Sequence, residues 1–225
     1  QNGREAILVW GAERFTAHDA ANGNILWSCA GFNPASKNNW VVVSSFVIID
    51  DKAVIPNLGH PSRNGEQDSI AEFLSDDFEI ARMPQGATLD GGDVVFYDDC
   101  FLVGISTRTN REGADFLAAH AELAGIGTRF FDVPKSTLHL TTVCSSPRPG
   151  TIVAAEGHLK EKDLSFVEEL IWLPNNESYA ANTIAYGDRV IIAEGYPKSR
   201  RLMLDAGFSI TTVDMTEFRE VDASL

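Results

Sequence analysis

Two aspartates bracket a glycine pair in Thr88-Leu-Asp-Gly-Gly-Asp-Val94, between a Pro-Gln-Gly turn at residues 84–86 and the apolar run Val94-Val-Phe-Tyr97. Glycine adopts backbone conformations closed to other residues and lets a ligand approach the chain closely. Held at a strand entry by such a turn, Asp90 and Asp93 are placed to face a cationic substrate. Taken alone, the motif reads first as a turn with solvated acids. A single histidine, His139, stands between two leucines in Ser136-Thr-Leu-His-Leu-Thr-Thr142. Read as a strand, this segment turns His139 away from both leucines. A lone strand histidine is more often a packed or surface residue, yet imidazole is the side chain best suited to move a proton near neutral pH. Arg63 and Arg108 lie in the polar loops Ser-Arg-Asn-Gly-Glu and Ser-Thr-Arg-Thr-Asn. Each is read singly as a surface residue, although a guanidinium fork suits a two-pronged contact with a carboxylate. Asn182 closes a loop that runs into a strand and is placed to anchor backbone. Cys100 and Cys144 stand in apolar strands and read as buried, inert thiols. No zinc-ligand spacing, phosphate-binding loop or dinucleotide fingerprint is present, so no metal and no cofactor is expected.

The elements that must carry these residues follow from hydrophobic periodicity. Residues 5–10 read as a buried strand. Residues 11–39 are rich in Gly, Ala and Asn; a short strand is expected at 25–27 and loop elsewhere. Residues 40–50 form a long β-branched run that turns at Asp50-Asp51-Lys52 and returns at 53–55. A helix is expected over 67–74, with Ile70, Phe73 and Leu74 on one face, then a short strand at 79–83. Residues 94–97 and 100–105 pair across Asp98-Asp99. The loop 106–110 leads to a helix at 111–124, with Ala114, Leu117, Ala118 and Ala121 on one face and Gly125 as its stop. Strands are expected at 129–133, 138–143, 151–155 and 169–173, with a helix at 162–170. A hairpin of 181–185 and 189–193, a helix at 198–206, a strand at 208–213 and a short helix or turn at 216–221 complete the chain. Strand, hairpin and helix thus recur roughly every 50 residues, a spacing typical of structural repeats.

At 225 residues the chain buries a real core as one domain, or at most two. The net charge of -14 argues against nucleic acid and an anionic membrane surface as partners and fits a small cationic ligand, as it fits many acidic proteins. Three cysteines at irregular spacing make no disulfide framework. With no apolar run of transmembrane length and no visible signal sequence, a cytoplasmic protein is expected.

Six segments occur in order: Leu89-Asp-Gly-Gly-Asp-Val94, Gly104-Ile-Ser-Thr-Arg-Thr-Asn-Arg-Glu-Gly113, Leu138-His-Leu140, Glu177-Ser-Tyr-Ala-Ala-Asn182, Glu194-Gly-Tyr-Pro197 and Glu220-Val-Asp222. The series closely resembles the dimethylarginine dimethylaminohydrolases of the guanidine-modifying superfamily, from about Gly59 to the end. The resemblance implies a single α/β domain over residues 1–225, a pseudo-symmetric propeller of five units (a pentein) with an atypical first unit. It implies a cysteine nucleophile that attacks the guanidinium carbon of an Nω-methylated arginine, and acids that neutralise the guanidinium. A histidine then protonates the departing methylamine and activates water to clear the thiouronium intermediate. His139 matches the catalytic histidine, Asp90 the active-site acid, and Arg63 and Arg108 the arginines that hold the substrate's carboxylate end. The partner is a small guanidinium compound, and a homodimer is left open.

Two departures stand out. The family's nucleophile lies in a Ser/Thr-Cys pair shortly after the position of Asp222, and none of Cys29, Cys100 and Cys144 stands there. The sequence as read is therefore expected to be inactive unless the natural protein continues beyond Leu225. The family's Phe-Val-Glu-Asp segment before Arg63 corresponds here to Val41-Val-Val-Ser-Ser-Phe46, which has no acid. A deiminase releasing ammonia and a non-catalytic arginine-analogue-binding protein are the alternative readings.

Overall fold

The computed structural model describes residues 6–10, 14–30, 46–63 and 65–220. Its strands form five three-stranded sheets, each built from consecutive strands. In the first, β1 (Ala6–Trp10), β2 (Arg14–Asp19) and β3 (Ile25–Ala30) make an antiparallel meander. Residues 14–19, expected as loop, are thus a central strand. Their mixed composition hides it, because neighbouring strands on both sides supply the pairing. His18 helps close the end of this meander, bonding the Thr16 hydroxyl and the Gly23 carbonyl, both at 2.9 Å.

The other four sheets share one plan: an antiparallel hairpin, a crossover, and a third strand parallel to the second. β4 (Val47–Ile49) and β5 (Lys52–Ile55) are followed by α1 (Glu66–Leu74) and β6 (Glu79–Arg82). β7 (Val94–Tyr97) and β8 (Cys100–Ile105) are followed by α2 (Arg111–Leu123) and β9 (Gly127–Asp132). β10 (Cys144–Arg148), β11 (Thr151–Ala155) and β12 (Glu169–Leu173) form the fourth sheet. β13 (Ile184–Tyr186), β14 (Arg189–Ala193), α3 (Pro197–Asp205) and β15 (Ser209–Val213) make the fifth, and the short α4 (Thr216–Arg219) follows. Parallel neighbours need such a crossover, whereas antiparallel ones close through a tight turn. The turns carry the backbone that hairpins demand: φ is positive at Asp50 (53°), Asp98 (49°) and Gly187 (57°).

The sequence expectations differ from the fold at further places, among them the unexpected strand β10. The crossover of the fourth sheet is not a helix over 162–170; it holds a 3-10 turn at Glu161–Leu164. Leu164 plugs the core from this turn, and β12 takes the chain from Glu169 onward. Residues 138–143 are not a strand: after His139 in extended conformation the chain makes a 3-10 turn at Leu140–Thr142. On α1 the buried residues are Ile70, Ala71 and Leu74, and Phe73 is exposed. Of the run expected over 40–50, residues 40–45 lie outside the described residues.

Strand alternation explains how neighbouring sheets pack. On β8, Phe101 and Val103 join Ile49 and Val54 of the second sheet and Leu117 of α2. Leu102, between them, faces the other way and joins Ile152, Ala154 and Leu164 of the fourth unit. On β11, Val153 and Ala155 join Val190, Ile192 and Met203 of the fifth. A strand buried on both faces needs an unbroken apolar run, as β8 and β11 have.

Candidate active site

The Asp-Gly-Gly-Asp turn is positioned from both sides by neighbouring backbone. Asn57, just after β5, donates from Nδ2 to the carbonyls of Pro84 (2.9 Å) and Ala87 (3.0 Å), and its own carbonyl accepts from Leu89 N at 2.9 Å. Asn110 caps α2 by accepting from Gly113 N at 2.9 Å. The same side-chain oxygen accepts from Thr88 N at 3.0 Å, while Nδ2 donates to the Gly86 carbonyl at 2.7 Å. A helix start is thereby stapled to the residues that precede Asp90. Gly113 permits it, since a Cβ there would run into the Thr88 carbonyl.

Within this frame the two aspartates are buried: 3% of Asp90 and none of Asp93 is exposed. The reading of the motif as a turn with solvated acids is therefore overturned. Gly59 N donates to Asp90 Oδ1 at 2.8 Å, leaving Oδ2 to face His139 Nε2 at 3.9 Å. Asp93 sits on the other side of the imidazole, with Oδ2 at 3.4 Å from Nδ1. Its remaining partners are Ser106 Oγ (2.6 Å), Thr109 Oγ1 (2.7 Å) and Leu140 N (3.0 Å), all donors to the carboxylate. A buried carboxylate keeps its place only when donors replace water, and Asp93 has them on both oxygens.

These bonds also explain why residues 138–143 abandon strand geometry. Leu140 N is spent on Asp93 instead of a ladder, and Thr142 Oγ1 turns back to the His139 carbonyl at 2.6 Å. Asn182 anchors backbone beside the histidine, as expected, donating to the Thr141 carbonyl at 2.8 Å.

Sequence reading placed Asp90 and His139 in one site, and the fold brings them together. The Arg63 and Arg108 loops come in through Gly59. Arg63 ends the 3-10 turn Pro61–Arg63, four residues after Gly59, and both arginines are half-buried. A Cβ on Gly59 would meet the backbone of Arg108, so the two loops touch where Gly59 also binds Asp90. Cys144 is packed in the same buried cluster as Leu140, and burial pushes its thiol up to about 12, in keeping with the expected buried thiol. Cys100 is only half-buried, unlike the expectation, and burial raises its thiol as well, against the lowering influence of Arg129. The side chain of Cys29 lies outside the described residues.

The sequence pairs Asp93 with Asp90 but assigns it no separate role, gives none to Ser106 and Thr109, and marks Gly92 only as one of a glycine pair that allows close approach. The legible signals were the spacing of Ser106 and Thr109, which suits a hydroxyl-closed turn, and the two glycines before Asp93. Among the described residues, no three His, Cys, Asp or Glu side chains are grouped to hold a metal ion. No described helix is long and apolar enough to cross a membrane. A cavity of about 490 Å³ walled by Tyr179, Tyr196, Met215 and Arg219 takes in none of Asp90, Asp93 and His139, so the cluster itself defines the site.

The family model of eukaryotic N,N-dimethylarginine dimethylhydrolase matches residues 35–176. The N(G),N(G)-dimethylarginine dimethylaminohydrolase of Pseudomonas aeruginosa is 31% identical over 175 residues, which are 77% of this chain and 68% of that protein. The protein of the same description from Streptomyces coelicolor is 29% identical over 215 residues, 93% of this chain and 81% of its own length. The solved structure of the Pseudomonas aeruginosa protein complexed with citrulline superposes with a TM-score of 0.72 at 30% identity, over 81% of this chain and 71% of that one. A cyanobacterial arginine dihydrolase domain bound to its product shares the α/β fold at 15% identity, with a TM-score of 0.71 over 81% of this chain and 70% of that one.

Proposed function

The chain belongs to the dimethylarginine dimethylaminohydrolase family, and on that premise we propose that it serves hydrolysis of Nω-methylated arginine to citrulline and methylamine or dimethylamine. The observation that carries this reading is the buried pair of aspartates on either side of the His139 imidazole. A guanidinium is a planar cation with N–H donors around its rim, and fixed anions in a water-poor site hold it far better than water does. Asp90, with one oxygen pinned by Gly59 and the other free toward His139, is the acid that receives it. His139 then acts on the leaving nitrogen. His139 Nε2 takes the thiol proton as the sulfur attacks the guanidinium carbon and gives that proton to the departing amine; water then attacks the resulting S-alkylthiouronium with His139 as base. Collapse returns the thiolate and leaves citrulline. The thiol is assigned to the cysteine that the family resemblance puts after Asp222. Arg63 and Arg108 hold the substrate's α-carboxylate.

On the same reading the five sheets are the units of one α/β propeller domain, the first atypical because it is a plain meander. Packing of successive units through β8 and β11 supports it. A cytoplasmic setting and a homodimer are consistent with it. The absence of any acid in residues 41–46 favours one second reading, an arginine-analogue-binding protein without turnover. The deciding experiment incubates the chain, extended to include a cysteine at the family's position after Asp222, with Nω,Nω-dimethylarginine and with arginine. Citrulline and dimethylamine from the first are expected. Ammonia from arginine alone would replace the reading by a deiminase, and calorimetric binding without product would replace it by the binding protein.

A further inference from the structure

The two aspartates are not equivalent, and we infer that Asp93 is the positioning residue of the site: it fixes His139 with the proton on Nδ1, leaves Nε2 as the working nitrogen, and ties that nitrogen to the loop bearing Arg108. What Nε2 works on rests on the proposed hydrolysis; the geometry does not.

Asp93 is wholly buried, and an ionised carboxylate only accepts hydrogen bonds. Ser106 Oγ and Thr109 Oγ1 donate to Oδ2, and Leu140 N donates to Oδ1. His139 Nδ1 faces Oδ2 at 3.4 Å, so the nitrogen there must carry the proton; a lone pair would face a buried anion. A neutral imidazole has one N–H, which leaves a lone pair on Nε2. That lone pair looks toward Asp90 Oδ2 across 3.9 Å. Two acceptors facing each other call for a donor between them, and a guanidinium N–H supplies one that meets both. The ring cannot swing away easily. An ideal Cβ on Gly92 would stand 2.7 Å from its Cγ and 2.8 Å from its Cδ2, so the imidazole lies directly on that glycine. Its backbone is held by Leu140 N to Asp93 and by Thr142 Oγ1 to the His139 carbonyl.

The same carboxylate sets the second loop. The Ser106 hydroxyl that donates to Asp93 accepts from Arg108 N at 2.9 Å and from Thr109 N at 3.2 Å. The Thr109 hydroxyl that donates to Asp93 accepts from Asp90 N at 3.1 Å. Asp93 therefore holds in one register the histidine, the Arg108 loop and the backbone of Asp90. Positioning of this kind is usually found among the partners of the groups that do the chemistry.

The test is the imidazole tautomer of His139, read from nitrogen-15 shifts of histidine-labelled chain at alkaline pH, with the His139 signals identified by their loss in His139→Gln. The inference predicts a protonated Nδ1 and an unprotonated Nε2. Thr109→Val, which keeps the carboxylate, should preserve that form, whereas Asp93→Asn should shift the population toward Nε2–H. A wild-type ring protonated on Nε2 would overturn the inference, as would a folded Asp93→Asn chain that keeps the Nδ1–H form. If Asp93→Asn does not fold, the wild-type and Thr109→Val spectra decide alone. Dimethylarginine is added to the same samples. An Nδ1–H ring in a chain that ignores dimethylarginine would overturn the proposed substrate while supporting the role of Asp93.

Discussion

Asp90 and Asp93 lie three residues apart, yet they face the imidazole from opposite sides with different duties. Asp90 keeps an oxygen free toward the place where a guanidinium is proposed to sit, whereas every oxygen of Asp93 is engaged by donors. Asp90→Asn in the natural protein should therefore weaken capture of the cationic substrate, raising KM roughly 10-fold or more, since a charged hydrogen bond is worth about 1.5–3 kcal/mol. Unchanged Michaelis parameters would remove that role. Gly92→Ala tests the seat of the imidazole. A Cβ there collides with the His139 ring, so the ring must turn or the backbone shift. Turnover should fall about 100-fold, the scale of an ångström's misplacement. A crystal structure of the variant with the imidazole undisplaced would contradict the account. At this scale the sequence pointed to His139 and Asp90 only through the ordered motifs of the family resemblance, since each alone reads as an ordinary strand or turn residue. The duty of Asp93 was not, because it depends on Ser106, Thr109 and Leu140, which meet it only in the fold.

Among the elements, helix α3 shows how a distant acid replaces a local cap. Its first turn begins at Pro197 and has no side-chain cap of its own. Glu177, in the 3-10 segment Asn175–Ala181, reaches over to accept from Ser199 N at 2.7 Å and Lys198 N at 3.3 Å. Burial works against its charge, but these N–H groups prevail and hold the carboxyl below its ordinary 4.5. A lowered folded value means that the carboxylate stabilises the fold fully above the unfolded value and loses that contribution as pH falls through the folded one. Glu177→Gln should cost about 1–2 kcal/mol at neutral pH. Denaturant titrations should show the gap closing under acid conditions; a gap that persists there would assign the loss to packing. The position of α3 was legible as a helix at 198–206. The missing helix over 162–170 was not, because an apolar residue such as Leu164 serves a 3-10 plug as well as a helix face.

Over the whole molecule, four of the five sheets repeat one plan, and the strands between them are buried on both sides. Leu102 is fully buried between the third and fourth units. Leu102→Ala should cost about 2–5 kcal/mol, read as a lowered midpoint in chemical denaturation. A loss below about 1 kcal/mol would mean that this contact between units contributes little. The repeat was visible as a spacing of elements rather than as matching residues, since each unit needs only apolar runs, a tight turn and a crossover. The first unit departs from the plan, and its central strand, residues 14–19, was hidden by composition.

The central claim is that His139 transfers the proton for guanidinium cleavage from a ring held between two buried aspartates. The most direct measurement is steady-state release of dimethylamine from Nω,Nω-dimethylarginine by the natural protein beside its His139→Ala variant. The account predicts kcat at least about 100-fold lower, the scale of general acid–base catalysis, with KM changed only a few-fold. A variant that turns over at a near-normal rate would contradict it.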